Sequence, residues 1–358
     1  MSRKPPSRPL RALDLFAGAG GTTLALTQAG FVVPVAAEID PAKAATLRRN
    51  QPATKVLGAN RTCGDVTKLN AGDLVPSPTD RQEPYDLVVG CPPCQGYSLQ
   101  GSRNPRDPRN RLFEDLLRLA IALRPSAVVM ENVPGMASLS SGRFLSSFLS
   151  GLEGAGYSTA IWRLRASDLG VPQLRERLFV IGMRDGRLPT PPAKVNPPTV
   201  WQAISDLPTA PYEAVVGGRT HHPYVGPAKS GYSVALRGKK RRVSGVALTR
   251  HDHKVSARLA RLEFGQVDPH TRHRRLDPNG LATTITAGSR ERTACRPAHP
   301  YESRVLTVRE AARLASFPDW YEFPGTIAEA WSQIGNAVPP LMARAVFESV
   351  RDALTVAE

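Results

Sequence analysis

Several features are scarce in this chain of 358 residues, and each scarcity excludes something. No apolar run approaches the roughly 18 to 20 residues of a membrane helix. The start, MSRKPPSRPLRALDLF, lacks the apolar core of a signal peptide. It reads as a basic, proline-rich arm over residues 1–10 that runs into a strand. A cytoplasmic protein with no membrane partner is expected. Cysteine is sparse: the four, at 63, 91, 94 and 295, do not make a secreted disulfide framework. Acidic residues are outnumbered, 31 against 47 basic, which leaves a formal charge of +16. A polyanionic partner follows, nucleic acid first. Internal repeats and long low-complexity tracts are absent.

What is present is an alternation. LRALDLF, FVVPVAAEI, YDLVVG, SAVVMEN, STAIWRLR and RLFVIGM read as strands. Segments near residues 20–30, 41–50, 110–124 and 143–155 read as helices. Apolar strands alternating with helices give an α/β fold with a mostly parallel sheet covered on both faces. Ligands of such sheets bind beyond the carboxyl ends of the strands. Residues 186–303 differ in texture, being rich in Pro, Gly, Arg and His. They read as a smaller, basic, irregular lobe, after which LTVREAARLASF and PPLMARAVFESVRDAL return to helix.

The strand ends carry the chemistry. The first ends in DLFAGAGG, where Gly18, Gly20 and Gly21 let the backbone turn tightly against a ligand. Thr23 replaces the third glycine of the dinucleotide pattern, and no Lys-Ser/Thr follows as in a P-loop. The second strand ends in Glu38-Ile39-Asp40, about where nucleoside-binding folds hold a ribose diol. The turn Cys63-Gly64-Asp65-Val66 is placed to reach an adenine amino group. YDLVVG runs into Cys91-Pro92-Pro93-Cys94-Gln95, whose prolines fix the backbone. CxxC has three readings: a redox pair, half a zinc site, or a nucleophile beside a bystander. Zinc would want a second such pair, so no metal is expected. SAVVMEN ends in Glu131, whose burial should push its pKa upward and suit a proton donor; the plain alternative is a structural ion pair with an arginine. Arg175 and Arg177 of QLRER fall on one face of an extended stretch.

These motifs, in this order, resemble the DNA (cytosine-5)-methyltransferases. DLFAGAGG, EID, GDV, PPCQGYS, ENV, QLRER, LTVREAARLASFPD and QIGNAVPPLMARA all match, over roughly residues 11–183 and 304–348. The resemblance implies a Rossmann-like class I methyltransferase sheet with a second, smaller target-recognition domain. The implied boundaries are 11–185 for the catalytic domain, 186–317 for target recognition and 318–358 for a segment returning to the first. It implies S-adenosylmethionine as cofactor, with S-adenosylhomocysteine as product, held by Phe16, Gly18, Gly20, Gly21, Glu38, Ile39, Asp65, Pro93 and Asn336. Cys94 matches the nucleophile, Glu131 the acid at the base ring, and Arg177, backed by Arg175, the arginine that grips cytosine. Cys91 falls where a glycine or another small or apolar residue is expected, and reads as a bystander.

Further expectations follow from the resemblance. Double-stranded DNA is the partner and the nucleoid the place of action, with base flipping and a monomeric enzyme. A cognate restriction endonuclease or defence system is a candidate companion. A lid over about Gln95 to Arg111 brings Ser98 and Gln100 to the DNA. RGKKRR and RHRR, through Arg237, Lys239, Lys240, Arg241, Arg242, Arg272, Arg274 and Arg275, would meet phosphates. Thr284 of TTIT is the one faint recognition-lobe motif. The rivals are a tRNA cytosine-5 methyltransferase, a non-catalytic DNA-binding relative, and a thiol–disulfide protein that would need Cys91 as much as Cys94. The His pairs at 221–222 and 251/253 read as DNA contacts or plain surface rather than metal ligands.

Overall fold

A computed structural model of the chain describes residues 8–58, 62–76, 85–93, 108–211, 220–287 and 296–355. Two compact units emerge. The first holds residues 1–165, 176–193 and 343–358; the second holds 166–175 and 194–342. These limits differ from the expected 185/186 and 317/318. Three segments change sides: 166–175 and 318–342 join the second unit, and 186–193 joins the first.

The first unit is one seven-stranded sheet. Its strands are β1 (Arg11–Leu15), β2 (Val32–Ala37), β3 (Lys55–Leu57), β4 (Leu87–Gly90), β5 (Ala127–Asn132), β6 (Ser158–Arg165) and β8 (Glu176–Met183). The order is β3-β2-β1-β4-β5-β8-β6. Neighbours from β3 to β5 pair in parallel, while β8 runs antiparallel to both β5 and β6. Helices α1 (Gly21–Gln28), α2 (Pro41–Asn50), α3 (Ala71–Leu74), α4 (Leu112–Leu123) and α5 (Arg143–Gly154) connect the strands.

Register sorts the side chains by face. Leu15, Gly90, Met130 and Val180 lie in one row across β1, β4, β5 and β8. Paired residues share a face, and alternate residues along a strand share it too. That face, with Leu13, Val88, Val128 and Leu178, packs on Phe113, Leu116 and Phe148 of α4 and α5 to form the main core. The opposite face carries Asp14, Val89 and Val129, which are likewise in register. Two residues further on, at the strand ends, this second face presents Cys91 and Glu131.

The second unit has short elements around buried arginines. They include the two-residue strand β7 (Gln173–Leu174) and helices α6 (Val200–Ile204), α7 (Gly231–Arg237), α8 (His253–Ala260), α9 (Val308–Leu314) and α10 (Ile327–Asn336). Arg313 of α9 is fully buried and bridges Asp206 and Asp319. Arg309 donates to the carbonyls of Ser244, Pro318 and Tyr321. Charge neutralisation of Arg313 and complete hydrogen bonding of Arg309 make such burial tolerable. The last helix, α11 (Pro340–Thr355), begins in the second unit and ends in the first. There Arg351 donates to the Ala29 carbonyl just past α1.

Candidate active site

The glycine turn after β1 is built around two carboxylates. Asp14 is wholly buried, and its Oδ2 accepts from the hydroxyls of Thr22 and Thr23 at 2.7 and 2.6 Å. Its Oδ1 is buried without a hydrogen-bond partner among the described residues. Burial pushes the Asp14 pKa up to about 6; the two threonine hydroxyls pull against it and the Glu38 charge adds to it. Glu38, at the end of β2, accepts from Gly18 N at 2.8 Å and Asp40 N at 2.9 Å. Asp40 in turn caps α2 by accepting from Ala42 N and Lys43 N. One carboxylate thus ties the glycine turn to the next strand end.

This turn has room for a ligand. Gly18 lies at φ +58, and a Cβ added there would meet no atom of the described residues within 4 Å. Gly20 at φ 91 precedes α1 and has no side chain to cap it, although the Asp14 carboxylate already engages the Thr23 N–H. The N–H groups at its very start, those of Gly21 and Thr22, face the turn where an anion such as a carboxylate would be favoured. Phe16 takes φ 57, a left-handed backbone unusual for a bulky residue, with its ring packed beside the main core. Ile39 is 63% exposed beside Glu38, an apolar platform at the sheet's edge.

A pinch of backbone holds the neighbouring loop. Cβ atoms on Gly58 or Gly64 would stand 1.7 and 2.1 Å from the Glu38 carbonyl oxygen. Three segments therefore meet where no side chain fits. Asp65, next in the chain, is raised by burial but ends lowered, because Thr67 and Lys68 bind its carboxylate. Its Oδ1 accepts from the Thr67 hydroxyl at 2.8 Å, and its Oδ2 is 3.4 Å from the Lys68 ammonium.

The reacting edge follows on β4, β5 and β8. Cys91 N donates to Leu15 O at 3.2 Å, extending the ladder beyond β4. Asn132 Nδ2 donates to Pro92 O at 3.3 Å, which steadies the Pro-Pro turn at Pro93. Cys94, Ser98, Gln100 and most of the expected lid lie outside the described residues. Glu131 pairs in register with Phe179, and Arg177, two residues earlier on β8, shares that face. Arg177 Nε stands 2.8 Å from Glu131 Oε1, with the side chains 13% and 10% exposed. Of the two readings given for Glu131, the ion pair with an arginine is present here. Cys91 lies level with Glu131 on the neighbouring strand and the same face, so that its thiol faces the Glu131 carboxylate. Burial first, then the Glu131 and Asp14 charges, push that half-buried thiol well above its ordinary range; Arg177 opposes them.

Other expected site residues belong to the second unit. Arg175 does not follow Arg177. It is buried and donates to the carbonyls of Ile285 at 2.9 Å and Gly335 at 3.0 Å. The strand is broken between β7 and β8, so the two-residue period does not carry across. Thr283 pairs in parallel with Leu174, whose carbonyl accepts from the Thr284 hydroxyl. Asn336 ends α10 and is exposed, 3.5 Å from the Ser332 hydroxyl.

The basic motifs divide. Lys239, Lys240, Arg241 and Arg272 are exposed. Arg237 and Arg275 are half-buried and engaged within the fold. Arg237 stacks 3.7 Å from the Tyr224 ring and donates to the Gly226 carbonyl. Arg275 donates to the carbonyls of Pro300, Leu259, Ala260 and Leu262. Arg242 and Arg274, though exposed, donate to the carbonyls of His221 and Gly265. His251, weighed above as a DNA contact or plain surface, instead accepts from Val305 N at 3.3 Å.

Sequence reasoning passed over Asp14 and the Gly58–Gly64 pinch, and did not place Cys91 beside Glu131. An acid inside the apolar run LRALDLF was the available signal for Asp14. The other two depend on which strands lie side by side.

The comparisons agree with this geometry. Residues 10–352 match the family C-5 cytosine-specific DNA methylase. Type II methyltransferase M.XorII of Xanthomonas oryzae pv. oryzae is 37% identical, covering 97% of this chain and 86% of its own. Type II methyltransferase M.DdeI of Desulfomicrobium norvegicum is 34% identical, covering 95% and 88%. A solved E. coli structure, assigned as a DNA modification methyltransferase encoded within a prophage, is 31% identical. It superposes with a TM-score of 0.82 over 96% of this chain and 99% of that one. The sheet order, its antiparallel β8 and a match along nearly the whole length lead to one conclusion: the chain belongs to the C-5 cytosine-specific DNA methylase family.

Proposed function

We propose that this chain methylates carbon 5 of one cytosine within a specific duplex DNA sequence, using Cys94 as nucleophile and the Glu131–Arg177 pair at the base. The single observation that carries the assignment of roles is that pair, 2.8 Å apart at the carboxyl end of β5. It stands one strand from the chain that leads into Cys94.

Carbon 5 of cytosine is a poor nucleophile. Addition of the Cys94 thiolate at carbon 6 makes carbon 5 enamine-like and able to take a methyl group. Glu131 offers a hydrogen bond or proton at ring nitrogen 3, where charge develops, and Arg177 holds Glu131 and the base carbonyl. A water, as the proposed base, takes the carbon-5 proton, the C5–C6 double bond re-forms, and Cys94 leaves as thiolate. S-adenosylmethionine, when bound, supplies the sulfonium methyl. The residues fit such a ligand: open space at Gly18, the start of α1 for its carboxylate, Glu38 for its ribose and exposed Ile39 beside its base. Phe16, Gly20, Gly21, Asp65, Pro93 and Asn336 complete the proposed set.

The target base must leave the duplex, at a cost of a few kcal/mol. The second unit, with Lys239, Lys240, Arg241 and Arg272 exposed, is proposed to read the target and grip phosphates. The relatives' type II names support a restriction–modification setting with a cognate nuclease, and a monomeric enzyme at the nucleoid is proposed. The test is expression in a host lacking cytosine methylation, with bisulfite sequencing of its DNA beside a Cys94→Ala control. Methylation confined to one short motif and lost in the control is expected. Unmethylated DNA from soluble, cofactor-binding protein would move the substrate to tRNA.

A further inference from the structure

Cys91 takes no part in the chemistry just proposed, yet it occupies a site where the family pattern leads one to expect a glycine or another small or apolar residue. Its position follows from register. Gly90 pairs with Leu15 on one side and Met130 on the other. The next residue, Cys91, therefore lies between the ends of β1 and β5, level with Glu131. It shares its face with Asp14, Glu131 and Arg177. The polar groups of this face form a file across four adjacent strands: the Thr22 and Thr23 hydroxyls on Asp14, then Cys91, Glu131 and Arg177.

We infer that Cys91 is a positioning residue for Glu131, its S–H donating to the carboxylate from the β4 side while Arg177 holds Oε1 from the β8 side. This rests on the role proposed for Glu131. A carboxylate tied at one oxygen to a guanidinium can still swing about its last torsion. A second donor on the neighbouring strand fixes the plane of the group before the base arrives. The thiol suits this place because it stays protonated: burial and the charges of Glu131 and Asp14 both disfavour a thiolate. A thiolate there would repel the carboxylate it is meant to hold. The same property separates Cys91 from Cys94, which has to react as a thiolate.

The test compares Cys91→Ala, Cys91→Ser and the native enzyme in single-turnover methyl transfer on the DNA motif found by bisulfite sequencing. Cys91→Ala, which removes the donor, should slow transfer about tenfold, the worth of a hydrogen bond to a charged group. Affinity for S-adenosylmethionine and the melting temperature should stay near native. Cys91→Ser, which restores a donor, should recover most of the rate. In a Glu131→Gln background the alanine change should cost little more, since coupled residues are non-additive. A native rate in Cys91→Ala overturns the inference, as does an equal loss in alanine and serine variants, or a full additional loss in the Glu131→Gln background. Where that background is too slow to follow, the serine–alanine difference decides alone. Failure of the native enzyme to methylate any DNA takes down the functional reading. Methylation that needs Cys94 but ignores Cys91 takes down this inference only.

Discussion

Arg177 and Glu131 meet across an antiparallel strand pair, Nε to Oε1 at 2.8 Å, both side chains about nine-tenths buried. Breaking such a pair from one side leaves an uncompensated charge and costs roughly 3 kcal/mol or more. Arg177→Ala should therefore lower unfolding free energy by about 3 kcal/mol and, through the proposed role, slow methyl transfer about 100-fold or more. Glu131→Gln should slow transfer comparably but destabilise less, because a carboxamide oxygen still accepts from Arg177. Urea unfolding and single-turnover kinetics on the two variants check both halves. A stable, active Arg177→Ala enzyme would remove the pair from the mechanism.

Asp14 should give the fold a distinctive acid dependence. Its pKa rises from 3.8 unfolded to about 6 folded, so the native state binds the proton more tightly. The stabilising contribution of that proton is complete below 3.8 and is lost as pH rises through about 6. Two units correspond to roughly 3 kcal/mol. Asp14→Asn keeps an acceptor for Thr22 and Thr23 but cannot titrate. The stability of the native enzyme relative to this variant should fall by roughly 3 kcal/mol between about pH 4 and pH 7. A pH-independent difference in urea titrations would show that Asp14 stays ionised throughout.

The basic run at the end of α7 is mixed in purpose, and salt dependence can separate its members. Lys239, Lys240 and Arg241 are exposed. Replacing all three with Gln should reduce the slope of log affinity against log salt by roughly 2 to 3, at little cost in stability. Arg275→Ala should do the reverse. It removes a guanidinium that closes the carbonyl end of α8 through Leu259, Ala260 and Leu262, so it should destabilise the fold and leave the slope alone. Filter binding across a salt series tests this; an unchanged slope in the triple variant would place the phosphates elsewhere.

How much of this could be read from residues alone depends on what each signal encodes. The runs LRALDLF, YDLVVG and SAVVMEN mark β1, β4 and β5 closely, because strands buried on both faces have few polar interruptions. Lys55–Leu57 is too short to register as a strand. Direction is not encoded at all: RLFVIGM looks like the others, yet β8 runs against its neighbours. Glu131 and Arg177 were legible because both sit at ends of clear strands. Arg175 was misplaced because one residue beyond Leu174 breaks the extended path. Composition counts every arginine as surface charge, whereas Arg309 and Arg313 are interior and spent on carbonyls and aspartates. Neighbour relations between strands decide the rest, and these put Cys91 against Glu131.

Residues 166–175 leave the seven-stranded sheet after β6 and rejoin it at β8, yet they belong to the second unit. Gln173 and Arg175 within them bind Ile285 and Gly335 far along the chain. The second unit is therefore inherited in two pieces of gene. A recombinant that brings in 194–342 from a cousin keeps the native 166–175, and survives only if the newcomer offers backbone groups to those same two side chains.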